Sequence, residues 1–450
     1  MAEIKWAPKK LKIEFIANDD ASIHAGLPII EAMARRFKLW EKIRNVRVLD
    51  PRSDRTRGYS PEVIIGQLIY ALCEGGGCLS DSESLNDDPF VCELFGVGKF
   101  ADQSQVGEWL RAQSEVGIAA LGQLVREFVA WVKKHADPAR MTLAGRTELF
   151  FDDTQIEVSS DKFQGAAMNY NGDIALSWQC LWVGPLLAES DLGPGGDVSA
   201  KLPAMLDAAR PLWSAEPAHF WADSASSAGI YLNKLEAEGI DYTISYNKWT
   251  GPLERAAAAL PQSAWSEPST DPKNPRPHER HAWVKHQPEG CQRAQLFAVT
   301  RWRRAGEMID SYGFIACNDG HPSPKAIVER HRLKGEKERL FSEVLSGLDL
   351  HRPPCHSLSA NRAYYQIAAL AYNLMIAVRL LDLGDAQQGW RLRTMMKKLI
   401  FMPGRLARRA RQTILKIQVP GTWLNWWQRW QQRAWAPEAQ ESANASIPTG

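Results

Sequence analysis

At 450 residues and 45% hydrophobic content the chain exceeds one ordinary domain and can bury a sizeable core in two or three packed units, which excludes a wholly disordered protein. Seven cysteines, an odd number with no CxxC pair, exclude a disulfide framework and a zinc knuckle, and Cys73 and Cys78 are too weakly patterned to be ligands. The formal charge of +2 hides a strongly basic stretch from Arg379 to Arg433, so nucleic acid stays open as a partner.

No run of about 18 uninterrupted apolar residues occurs, and the opening MAEIKWAPKKLKIEF lacks a signal-peptide core, so the expectation is a soluble chain that stays in the cytoplasm, with no membrane partner. Residues 1–140 read as an all-helical region for DNA binding or dimerisation, with Ser60 and Ser114 as helix caps before SPEVIIGQLIYALCEGGG and SEVGIAALGQLVREFVAWVKKHAD. Between them LNDDPFVCELFGVGKFADQSQVGEWLRAQ reads as two short helices around a glycine turn, either a helix-turn-helix or part of a plain bundle.

From Thr147 the pattern becomes α/β. TELFFDDTQIEVSS, IALSWQCLWVG and PLLAESDLG read as strands, DVSAKLPAMLDAARPLW as a helix, AHFWADS as a buried strand, SAGIYLNKLEAEGI as a helix closed by Gly239, and DYTISYN as a strand. These form the first part of a core over 141–247. Residues 248–311 read as a β-rich insertion outside that core. The core resumes over 312–385 with the strand SYGFIACND, one long helix PSPKAIVERHRLKGEKERLFSEVLSGL and an apolar helix behind it. Residues 386–436 read as basic, Trp-rich helices, and 437–450 as a disordered tail.

Two carboxylates end separate core strands, Asp152 after LFF and Asp223 after HFWA. Such a group is held rigidly and points into the cleft beyond the sheet, although each position also suits a turn or cap residue. The third acidic element is the helix with Glu336, Glu338 and Glu343 among Lys334, Lys337 and Arg339, which reads either as a solvated face of ion pairs or as a helix turning one glutamate toward the aspartates. Three carboxylates from two strands and a helix suit two magnesium ions, since hard cations take oxygen ligands.

The ordered run FFDDTQIEV, FQGAAMNYNG, PLLAESDLGPGGDVSA and WADSASSAGIYLNKLEAEGIDYTISY resembles insertion-sequence transposases of the DDE class, closest to the group named after insertion sequence 1380. The resemblance rests on Asp152 with Thr154, on Gly165, Tyr170 and Asn171, on Ala222, Asp223 and Ser224, and on Lys334, Gly335 and Glu338. It runs from about His24 to FMPGRLARRARQ. It implies a ribonuclease-H-like catalytic core with a β-rich insertion, and an acidic triad of Asp152, Asp223 and Glu338, with Asp153 and Glu336 as alternates. It also implies two Mg2+ ions replaceable by Mn2+, cleavage at transposon ends and strand transfer into target DNA. A homodimer on DNA and a bacterial, nucleoid-associated setting follow from the same resemblance.

The chain departs from the pattern at Phe150, where the group often has an aspartate, at Asp153, where Ser or Gly is common, and along the catalytic helix, where His331, Lys334, Glu338 and Leu345 replace the usual series. His331 and Lys334 are candidates for contact with the scissile phosphate or flanking strand, and Arg405, Arg408, Arg409 and Arg411 for tracking the DNA backbone. Two other readings share these features, a catalytically inactive DNA-binding derivative and a ribonuclease-H-like nuclease without strand transfer. The cluster GTWLNWWQRWQQRAW reads as packing or an oligomer contact ahead of a base-stacking platform.

Overall fold

The computed structural model describes residues 20–435 except 197, 248–249, 269–275, 277, 304–305, 321 and 410–411. The expected tail and Arg411 lie outside the described residues.

The N-terminal region is helical, as its periodicity indicates. Helix α1 (Pro61–Cys73) begins with a proline, whose missing N–H costs nothing in a first turn, and Ser60 before it makes no side-chain capping bond. Helix α2 (Glu115–His135) is capped by the Ser114 hydroxyl, which accepts the Gly117 amide at 3.2 Å, and ends in Lys133, Lys134 and His135, where the helix dipole favours cations. The short helices Pro89–Phe95 and Gln103–Arg111 flank Gly96, whose φ of 75° ends the first of them in a left-handed turn.

The core is one mixed sheet. Strands β1 (Arg146–Glu157), β2 (Ile174–Val183) and β3 (Leu186–Pro194) form an antiparallel meander. Helix α3 (Leu202–Ala209) then leads to β4 (Ala218–Ala222), and helix α4 (Gly229–Ala237) leads to β5 (Asp241–Tyr246). Both returns are parallel, β4 on β1 and β5 on β4. The order across the sheet is therefore β3-β2-β1-β4-β5, a mixed α/β architecture.

The segment expected as an insertion outside the core does not stand apart. Its strands β6 (Arg280–His286) and β7 (Gln295–Trp302), with the expected core strand β8 (Ser311–Cys317), continue the same ten-stranded sheet, β8 lying antiparallel to β5 through Phe314↔Tyr246 to Cys317↔Thr243. The reason is physical: the outer edge of β5 carries unpaired amides and carbonyls, and β8 satisfies them.

The long helix expected over 322–348 is two helices, α5 (Pro324–Arg332) and α6 (Lys334–Gly347), broken at Leu333. Helix α7 (Leu358–Asp382) is long and apolar enough to cross a membrane, yet it is buried in protein and packs on α1, α2 and β3. Its polar side chains close the free edge of β3. Asn373 donates to the Leu187 carbonyl at 2.8 Å and accepts the Leu187 amide at 2.9 Å, as a neighbouring strand would. Tyr372 donates to Pro185 and Arg362 pairs with Asp191.

The expected run of C-terminal helices is only partly present. Strands β9 (Gly404–Arg409) and β10 (Gln412–Ile417) form an antiparallel ribbon, edged by the two-residue strand Ala21–Ser22, before helix α8 (Gly421–Ala434). In α8 Trp427 and Trp430 are buried, and ring contacts run from Trp390 through Trp423, Trp426, Trp427 and Trp430 to Trp435. The tryptophans serve as packing.

Candidate active site

The register of the sheet builds the site. The last paired residues of β1 and β4 are Phe150 and Trp221, so Asp152 and Asp223 each stand two positions further along adjacent parallel strands. Asp223 keeps an extended backbone (φ −83°, ψ −172°), so strand alternation carries from Trp221 through it. Its carboxylate also caps the next turn, accepting the Ala225 amide at 2.8 Å. The cap reading thus holds for Asp223, and the cap leaves it beside Asp152.

Helix α6 crosses the face bearing Glu148, Phe150 and Asp152. Phe341 packs on Phe150, Trp178 and Trp182, Lys337 pairs with Glu148 beneath it, and the Lys337 ammonium lies 5.8 Å from the Trp221 ring. One turn earlier the Lys334 ammonium lies 3.6 Å from Asp152 Oδ2 and donates to Glu338 Oε1 at 2.9 Å. The structure therefore gathers Asp152, Asp223, Lys334 and Glu338 where the pairing of β1 with β4 stops; Asp223 follows the end of β4, but Asp152 stands midway along β1 and not at a strand end as expected, because β1 runs on to Glu157 against β2.

The two alternates fall elsewhere. Asp153 points to the opposite face, where its Oδ2 accepts from Gln155 at 2.7 Å and Ser177 at 3.1 Å. Glu336, two residues from both Lys334 and Glu338, sits about 200° around the helix from each and is exposed.

Burial drives the electrostatics. It pushes the Asp152 carboxyl up to about 7, with the Lys334 ammonium pulling the other way and the Asp223 and Asp153 carboxylates adding to the rise. Burial also raises Asp153, against hydrogen bonds from Gln155 and Ser177 that favour the anion. For Lys334 burial works against the ammonium, but Asp152 and Glu338 outweigh it and hold the pKa above its ordinary value.

His331 is not placed for a phosphate. It is 8% exposed, shares a 2.8 Å hydrogen bond with Ser245, and is pulled down to about 4 by burial and then by Lys334. It supports the site from below as a neutral ring. Arg405, Arg408 and Arg409 lie on the β9–β10 ribbon instead of a helix, all three exposed. Sequence reasoning missed the Lys337 and Glu148 pair, although alternation back from Asp152 through Phe150 reaches Glu148.

The donor set, two aspartates and a glutamate, offers oxygen only and fits a hard divalent cation. The buried Asp152 carboxyl, balanced by a single ammonium, is the group such a cation would stabilise. Among the described residues, no group of three or more His, Cys, Asp or Glu is drawn together closely enough to hold an ion, because Lys334 lies between Asp152 and Glu338.

A family model described as transposase DDE domain group 1 matches residues 7–422. No curated protein matches the chain. Among solved structures, a piggyBac transposase synaptic complex with hairpin DNA, seen by cryo-EM, is similar over 84% of this chain and 79% of that chain, at 9% identity and a TM-score of 0.43, too distant a likeness to argue from. With a family match over nearly its whole length, the chain belongs to the transposase DDE domain group 1 family.

Proposed function

We propose that the chain is an active DDE transposase, related to the group named after insertion sequence 1380, which cleaves DNA at transposon ends and joins the freed end to target DNA. The observation that carries this reading is the placement of Asp152 and Asp223 just beyond the last paired residues of two adjacent parallel strands, beside the helix that bears Glu338. The meander β1 to β3 followed by two parallel strands with helices between them supports the ribonuclease-H-like core that the resemblance implies.

Asp152, Asp223 and Glu338 would hold two Mg2+ ions, with Mn2+ as a substitute. Bound there, the cations would stabilise the attacking and leaving oxygens of an in-line displacement at phosphorus. The chain's own part is positional. The β1 ladder fixes Asp152 and the end of β4 fixes Asp223, the Phe341 contacts fix the helix, and Lys334 balances the carboxylates. Water attacks the phosphodiester first and releases a 3′-hydroxyl; that hydroxyl then attacks a target phosphodiester and releases another 3′-hydroxyl. No covalent bond to the enzyme forms. Two ends held together imply a homodimer on DNA.

A second reading is favoured by one observation, the 58% exposure of the Glu338 side chain beside Lys334. It is that of a transposase-derived DNA-binding protein that does not cut. Nicking of a duplex carrying the element's own ends, in Mg2+ or Mn2+, decides between them. The wild type nicks, and Asp223→Asn binds equally while nicking falls about a hundredfold or more. Equal nicking by the variant overturns the triad, and absence of nicking by the wild type favours the second reading. Joined transposon and target products separate a transposase from a nuclease without strand transfer.

A further inference from the structure

We propose that the outward face of the β9–β10 ribbon is a docking surface for duplex DNA, a reading that rests on the proposed function. The register sets Arg405 opposite Lys416, Ala407 opposite Ile414 and Arg409 opposite Gln412. Residues opposite each other share a face, so these six form one side of the ribbon, and Leu406, Arg408, Thr413 and Leu415 belong to the other.

The two sides differ in their partners. The inner side rests on the N-terminal region: Leu406 is buried, Arg408 lies 3.7 Å from Asp20 and 3.9 Å from Glu93, and the Thr413 hydroxyl donates to Glu93 at 3.1 Å. On the outer side Arg405, Arg409 and Lys416 are exposed, and among the described residues none has an acidic partner.

Like charges directly opposite each other on an antiparallel pair are destabilising, and among the described residues no carboxylate offsets Arg405 against Lys416. A polyanion supplies the missing charge. Duplex DNA carries a negative charge per about 1.7 Å of axis, and its major groove, about 12 Å wide, admits a two-stranded ribbon. Arg405 and Arg409, four residues apart, are separated by roughly 13 Å along the strand and so reach several phosphates. The basic run of the sequence is thereby divided: Arg405 and Arg409 face DNA, Lys416 joins them from the partner strand, and Arg408, also exposed, lies on the other face beside Asp20 and Glu93.

The test is fluorescence anisotropy of the full chain on a duplex across a salt series, in EDTA so that cleavage plays no part. The variant Arg405→Gln/Arg409→Gln/Lys416→Gln should weaken binding about 10- to 100-fold near 0.1 M salt and flatten the slope of log K against log salt by about 2 to 3. Arg408→Gln should leave that slope unchanged. The triple variant should melt no lower than the wild type at low salt, because a repulsion has been removed. An unchanged slope in the triple variant, an equal fall in Arg408→Gln, or loss of binding to anionic lipid vesicles in place of DNA each overturns the proposal. Failure of nicking with the slope effect intact overturns the catalytic reading alone.

Discussion

Lys337 and Glu148 form a part-buried ion pair that fastens helix α6 to β1 one residue before Glu338. Removing one partner strands a charge away from water, whereas an apolar pair of similar volume removes that cost. Lys337→Met should destabilise the protein by about 1–3 kcal/mol in urea titration, discounted for partial exposure, and lower nicking by shifting Glu338. Adding Glu148→Leu should restore most of the stability; strictly additive losses in the double variant would show that the two residues are not coupled. At this scale Asp223 at the end of β4 was legible, since the apolar run stops there, whereas the run that stops at Asp152 does not end β1, which continues to Glu157. The choice between Asp152 and Asp153 was not legible, because it depends on which sheet face the helix covers, a contact made between residues nearly two hundred positions apart. The choice of Glu338 over Glu336 depends on the same packing.

Strands and caps with local signals agree with expectation. Gly239 closes α4 with a φ of 68°, and Ser114 caps α2. The break at Leu333 has no proline to announce it, and the helical pattern reads straight through. The ribbon was hidden for a related reason: arginine, leucine and alanine are good helix formers, and only pairing with Ala21–Ser22 and packing on the N-terminal region favour strands over 404–417. The strand-mimicking amide of α7 supplies a test at the scale of elements. Asn373→Leu leaves the buried Leu187 amide and carbonyl without the partners that now meet them, and should cost about 2–4 kcal/mol in denaturation midpoint, with faster hydrogen exchange at Leu187. Unchanged exchange there would mean that the edge is closed by something other than this side chain.

For the whole molecule, the first described residues are tied to the helical region by a charged cluster. His24 Nδ1 lies 3.2 Å from Asp88 and 3.6 Å from Glu74, and the Ser22 hydroxyl donates to Asp88 at 2.6 Å. Burial pushes the Glu74 carboxyl from 4.5 up to about 7, and burial of His24 is outweighed by Asp88 and Glu74, which raise it. Both groups hold a proton more tightly when folded. Their contribution is full below the unfolded values, 4.5 for Glu74 and 6.5 for His24, and is lost as pH rises through the folded ones. Melting temperature should therefore fall between about pH 5 and 8, and Glu74→Gln should flatten that fall by roughly 2–3 kcal/mol. An identical slope in the variant would place its origin elsewhere.

The pairing of β8 with β5 also bears on how the chain is made. Synthesis delivers both aspartates and the whole of β5 before β8, the strand that covers β5, and Glu338 comes later still. During that interval the nascent sheet presents a bare hydrogen-bonding edge, the template on which chains join one another. A product cut short after Tyr246, as by a premature stop, keeps both aspartates but neither the glutamate nor a closed sheet. Such a fragment is a self-associating liability and not a trimmed competitor for the element's ends, so the fold couples completion of the catalytic set to completion of the chain.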